Sequence, residues 1–309
     1  MNFPPQTVRD ALQIHLMRAP NAPQIFVAFG RWNATASDLV PIIPFATGTG
    51  LSKTDAVERC CGEMVENLSL GTDAHSNPVF AVPDGAYQLE KCDQRVLDLR
   101  APTDLGSEGA ASHLTMEQSI VSAVSERLER AAVADWWGGM GRPAQVLENS
   151  TVARMILTLR GASTTNETKL YVLQSPCNVH VCVALSRNRK DQYAIGTAAG
   201  QYLSQVALKA FQELVTAEIS LLTIRQGHAL TAEQERFLET SMKIADRKQD
   251  LFSSDTIALP ESCGCNAYEA LQQSGIPYGF ADLTHPKLGL PTVRCFCPSL
   301  PRARGLISL

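Results

Sequence analysis

The chain lacks a dominant charge: 27 lysines and arginines stand against 31 aspartates and glutamates, for a net charge of -4. That balance gives no general attraction to nucleic acid or to an anionic membrane, so neither is expected as a partner. No apolar run approaches the ~20 residues of a membrane span. The opening MNFPPQTVRDALQIHLMRAP has no basic stretch leading into an apolar core and does not read as a secretory signal, so a cytoplasmic location is expected. Walker and Rossmann glycine patterns are missing. So are internal repeats, low-complexity tracts and a Pro-rich linker. No Ser-His-Asp or Cys-His set stands out, and His15, His75, His113, His180, His228 and His285 read as structural or exposed.

Disulfides are not needed either. Nine cysteines is an odd number, in a chain large enough to build a core without cross-links. The doublets Cys60-Cys61, Cys263-x-Cys265 and Cys295-x-Cys297 do not have the two-knuckle spacing of a structural zinc site. In a strand, C-x-C puts both thiols on one face, where reduced cysteine acts as a small hydrophobe. Reduced core cysteines are the expectation.

What is present is a chain of 309 residues, 45% hydrophobic, which can bury one large core or two intergrown halves. Strand-like runs lie at 24–29, 154–159, 169–174, 179–185, 277–283 and 292–298. Helix-like runs lie at 53–68, 115–137, 203–218, 231–247 and 266–273, with Ser52, Thr115 and Thr231 as N-caps. Residues 103–113 read as a small-residue loop. The alternation predicts an α/β (mixed α+β) fold, with largely antiparallel or mixed sheets and flanking helices.

Two acidic pairs carry the chemistry. Glu63/Glu66 and Glu126/Glu129 are each three residues apart and so share a helix face. Two such faces brought together would hold Mg²⁺ and, through it, nucleotide phosphates. The first pair follows Gly48-Thr49-Gly50-Leu51-Ser52, read as a Gly-x-Gly turn able to approach an anion. The second is followed by Arg130, whose guanidinium suits phosphate oxygens, and by Trp136-Trp137. Taken singly, each pair also fits a solvated helix face, and the tryptophans also fit core or rim packing.

Four segments in order resemble the YcaO family. Gly48–Asn67 is similar to its G-K-G-x-S, Ala, G-E-x-x-E-R signature. Residues 107–137 follow S-N-G-x-A, an acidic stretch, E-x-x-E-R-D-A and W-W. Residues 196–213 are similar to a glycine turn followed by A-x-x-R-A-L-T-E, and 289–300 to a closing G-x-P-V-V-R-V-x-V-P-G-L. The resemblance implies a catalytic domain over 47–300, an N-terminal segment 1–46 belonging to it, and a short tail 301–309. It implies ATP and Mg²⁺ as cofactors, with Glu63, Glu66, Glu126 and Glu129 as metal carboxylates and Arg130 as the catalytic, phosphate-binding arginine. Ser52 and Gln118 fall among the nucleotide-binding positions, Gln118 where the family usually has a glutamate.

The implied activity is ATP-dependent activation of a peptide backbone amide in a ribosomally made precursor. Its expected product is an azoline formed by cyclodehydration at Cys, Ser or Thr, with thioamide or amidine formation by the same chemistry as the alternative. A non-catalytic peptide- or partner-binding module is the rival from another class. No leader-binding domain precedes the resemblance, so a partner protein that presents the leader peptide is expected, and a homodimer is also admitted. Thr49, Asn67, Glu108, Ala131 and Lys209 depart from the signatures. These departures predict a less positive pocket and weaker ATP binding.

Overall fold

Ser52 Oγ accepts the Asp55 N–H at 3.1 Å, and Thr115 Oγ1 accepts the Gln118 N–H at 3.2 Å, so two helices begin where their caps predict. The structure is a computed structural model that describes residues 5–71, 79–81, 87, 90–91, 108–161, 166–189, 191–224 and 232–302. The third cap, Thr231, lies outside the described residues, as do Cys92, Ser107, His75 and His228.

In chain order the elements begin α1 (Gln6–Ala11), β1 (Leu12–Ala19), β2 (Ala22–Trp32), β3 (Phe45–Gly50), α2 (Lys53–Leu70), β4 (Val79–Ala81) and β5 (Glu90–Lys91). Then follow β6 (Ala110–Ser112), α3 (Met116–Gly138), β7 (Ala144–Leu147), α4 (Ser150–Arg160), β8 (Glu167–Val172), β9 (His180–Arg187) and β10 (Tyr193–Gly200). The last are α5 (Leu203–Ile224), α6 (Ala232–Leu251), β11 (Phe252–Ile257), α7 (Ala267–Ser274), β12 (Gly279–Asp282) and β13 (Thr292–Phe296). The fold is mixed α/β, as the sequence predicts.

Contacts divide the chain into two units. The first comprises Met1–Met17, Phe26–Arg127 and Ala267–Leu300, and the second Arg18–Ile25, Leu128–Asn266 and Pro301–Leu309. In the first unit, a three-stranded sheet β1-β2-β3 accompanies a five-stranded sheet β5-β4-β12-β13-β6. Its core gathers Trp32, Ala46, Cys60, Cys61, Met64, Val65 and Leu68, so α2 lies with its apolar face on β3. A Cβ on Gly48 would overlap the Ala56 carbonyl and the Cys60 amide of α2. Only glycine permits that approach.

The second unit holds the sheet β10-β9-β8-β7-β11, antiparallel except for the parallel pair β7–β11. α5 crosses β9 and β10, and Gly196 meets Ala210 and Leu214 of α5 much as Gly48 meets α2. Trp136 donates Nε1–H to the Leu251 carbonyl at 2.7 Å and stands edge-on to Trp137 and Phe252. The tryptophan doublet is core packing.

Two expectations are corrected. Residues 154–159 form the body of helix α4, because Asn149 Oδ1 caps the amides of Thr151 and Val152 at 3.1 Å. Val152, Ile156, Leu159 and Arg160 then fall on the buried face at helical spacing. Asn149→Ala should cost about 1 kcal/mol in urea denaturation, with the slope of the transition unchanged. The supposed loop 103–113 also gives way at its end to strand β6, which pairs with β13 through Ala110↔Arg294 and Ser112↔Thr292.

Candidate active site

The Gly-x-Gly segment is no anion-binding turn. Gly48 and Gly50 lie within β3 and serve the close strand–helix contact. Thr47 of the same strand donates both its backbone N–H (2.9 Å) and its hydroxyl (3.1 Å) to Glu63 Oε2 on α2. Burial pushes the Glu63 carboxyl above its ordinary value, and the two Thr47 bonds pull the other way. One turn on, Glu66 Oε1 accepts the Ser112 N–H of β6 at 3.0 Å. Ser112 is itself fixed, its hydroxyl 2.5 Å from Thr292 Oγ1. Both carboxylates of the first pair are therefore held in the first unit by strands across from α2.

Helix α3 carries the second pair, Glu126 half-buried and Glu129 only 2% exposed. In the second unit, Thr197 of β10 donates its hydroxyl to Glu129 Oε1 at 2.6 Å, and Arg130 Nη1 lies 3.7 Å from the same oxygen. Glu213 of α5 joins this group. Its carboxyl is raised to about 8 by burial and by the Glu129 charge, against the pull of Lys209 and Arg130. Glu213 Oε2 is buried with no hydrogen-bond partner among the described residues.

A buried, unpartnered carboxylate oxygen beside a second carboxylate is costly. Without a cation it must keep a proton or repel its neighbour. Mg²⁺ takes oxygen ligands and is held by one or two carboxylates with water completing its shell, so this donor set fits. Among the described residues no three such side chains already converge on one point as a closed metal cluster.

Ser52 is occupied as the cap of α2, and Gln118 is exposed in the first turn of α3. Glu108 pairs with buried Arg127 at 3.1 Å, which balances its negative charge. Asn67 donates to the Phe45 carbonyl at 3.1 Å and secures β3. The spacing of the acidic pairs gives no sign of Thr47, Ser112, Thr197 or Glu213. The sequence signals for three of them are positional: Thr47 and Thr197 each adjoin the glycine that packs on a helix, and Glu213 closes the segment resembling A-x-x-R-A-L-T-E. Thr197→Val should leave the fold intact and weaken Mg²⁺-nucleotide binding about tenfold, since partners that orient a metal ligand are worth that much; calorimetry measures it.

The chain matches the family model described as YcaO cyclodehydratase, ATP- and Mg²⁺-binding, over residues 98–301, about two thirds of its length. The first acidic pair precedes that span. No curated protein matches by sequence. Among solved structures it is similar to YcaO from Methanopyrus kandleri bound with AMPPCP and Mg²⁺, at TM-score 0.68 and 15% identity. That match covers 97% of this chain and 91% of the other. It is also similar to the E. coli microcin synthetase McbBCD complex with pro-MccB17 bound, at TM-score 0.66 and 14% identity, covering 93% and 88%. A heterocyclase in complex with substrate and cofactor matches at TM-score 0.64 and 15% identity over 94% of this chain and 50% of that one. At such identities the structures speak for the fold alone. With two thirds of its length in the family model, the chain belongs to the ATP- and Mg²⁺-binding YcaO family.

Proposed function

We propose that the protein activates a backbone amide of a ribosomally synthesised precursor peptide with ATP and Mg²⁺, forming an azoline from Cys, Ser or Thr. The observation that supports this most is the fixed orientation of three of the family's four carboxylates, Glu63, Glu66 and Glu129, each by a donor on a strand. A degenerate binding module has no need to keep these carboxylates aimed by strand donors.

In this reading Glu63, Glu66, Glu126 and Glu129 hold Mg²⁺, and residues 47–300 form the catalytic domain. When bound, the metal neutralises charge on the phosphates during transfer. Arg130 stabilises the charge that develops on the transferred phosphoryl group. The nucleophile belongs to the substrate: its side-chain sulfur or oxygen attacks the amide carbon, and the amide oxygen takes the phosphoryl group. The C–O bond then breaks, the amide proton leaves, and the oxygen departs as phosphate beside ADP. The peptide is thus one water lighter for each ring.

Recognition of the peptide is assigned to a second protein that presents its leader, in the cytoplasm. No helix among the described residues is long and apolar enough to cross a membrane. Calorimetry with a non-hydrolysable ATP analogue tests the site: binding should need Mg²⁺ and should vanish with EDTA. A chain that takes no nucleotide with Mg²⁺ present overturns the proposal in favour of the binding module.

A further inference from the structure

Cys295 and Cys297 lie at the end of β13 with their sulfurs 3.9 Å apart and both side chains buried. A disulfide is about 2.05 Å long, so the two sulfurs need approach by only about 1.9 Å. Arg127 is packed against them. Its Nη2 donates to the carbonyls of Cys297 (3.2 Å) and Leu300 (2.8 Å). The Cys297 thiol is held below its ordinary value by the Cys295 S–H, with Arg127 adding to that effect and burial opposing it. Cys60, Cys61 and Cys182 differ: burial pushes them up to about 12, 11 and 12. Those three stay protonated and inert, because the thiolate is the nucleophile.

The backbone at this point has no slack. Cys295 N–H donates to the Gly109 carbonyl at 2.9 Å. Gly109 has φ +74°, and a Cβ there would lie 2.8 Å from the Cys295 carbonyl oxygen. Gly109 leads directly into β6, whose Ser112 holds Glu66. A pull on Cys295 therefore reaches the Glu66 arm through one short strand.

We infer that Cys295 and Cys297 are a redox-active dithiol, closed by a peroxide to an intramolecular disulfide that loosens the hold of Ser112 on Glu66. The Cys297 thiolate attacks a peroxide oxygen, the O–O bond breaks, and sulfenic acid and hydroxide form. Cys295 sulfur then attacks the Cys297 sulfur, the S–O bond breaks and water leaves. One hydrogen peroxide and two thiols become one disulfide and two waters. A ring this small is strained, and strained disulfides are the readily reduced, regulatory ones. Loss of nucleotide affinity on oxidation rests on the function proposed above; the dithiol chemistry does not.

The test treats the reduced full chain with hydrogen peroxide. Trypsin cuts after Arg294 and Arg302, releasing residues 295–302 with both cysteines. That peptide should become two hydrogens lighter while Cys60, Cys61 and Cys182 remain reduced. Cys295→Ser should stop at a sulfenic acid on Cys297, trapped by dimedone, and Cys297→Ser should leave Cys295 reduced. A peptide that stays dithiol, or a Cys295 that oxidises as fast without Cys297, overturns the inference. Hydrogen exchange at the Ser112 amide should rise about tenfold on oxidation and fall back with dithiothreitol; unchanged exchange refutes the link to Glu66. Affinity for AMPPCP with Mg²⁺ should fall about tenfold in parallel. Should the reduced chain never bind nucleotide, the proposed function fails, and Ser112 exchange alone decides the switch.

Discussion

Glu129→Gln is expected to abolish ADP formation with precursor peptide and presenting partner, lowering turnover by a hundredfold or more, the scale seen when one charge-stabilising group is removed from a transition state. Glutamine keeps the volume and can still accept the Thr197 hydroxyl, so the fold and its melting temperature should hold. What it removes is the anionic charge at a position only 2% exposed, where water cannot compensate. Phosphate release and peptide mass report the same loss by independent routes. Glu63→Gln should behave alike, because Thr47 holds that carboxylate in the same manner. Turnover in Glu129→Gln equal to that of the parent would remove Glu129 from the metal set.

The largest effect on stability is expected from Glu218→Ala. Glu218 takes a bidentate pair of bonds from Arg160, 2.6 and 2.7 Å long, with the two residues 4% and 3% exposed. Arg160 also donates to Thr168 and to the Asn21 carbonyl, and its guanidinium lies 4.8 Å from the centre of the Phe211 ring. Removing the carboxylate leaves a buried guanidinium uncompensated, which costs about 3–5 kcal/mol. Chemical denaturation should show the midpoint falling accordingly. Replacing both residues by apolar ones of similar volume should recover much of the loss, since desolvation of the pair is then avoided as well.

The sequence makes α2, α3, α5, α6 and α7 legible because periodicity and, for two of them, caps agree with the packing. Strands β2, β8, β9, β12 and β13 are legible for their β-branched and aromatic content. β3 and β6 are hidden for the opposite reason: FATGTG and AAS are small so that helix and strand can approach closely, and small residues carry little strand propensity. α4 misleads because RMILTL is a short apolar run that suits either period, and only the Asn149 cap decides it. Of the site, the acidic pairs and Arg130 are visible through their spacing. Their donors are not, since Thr47, Ser112 and Thr197 lie 16, 46 and 68 residues from the carboxylates they hold. Glu213 closes the segment that resembles A-x-x-R-A-L-T-E, yet its place beside Glu129 shows only once its oxygen is found buried.

The pairing of β11 with β7, and of β12 and β13 with β4 and β6, joins strands far apart in the chain and sets an order of events during synthesis. Each sheet waits for a strand that leaves the ribosome long after its partner. Ser112 cannot be seated against Thr292 until that residue, 180 positions later, has been made. Until then β6 and β7 present open edges, and closure over such separations is slow. The nascent protein therefore passes through a long interval with Glu66 in place on α2 and its donor Ser112 not yet fixed by Thr292.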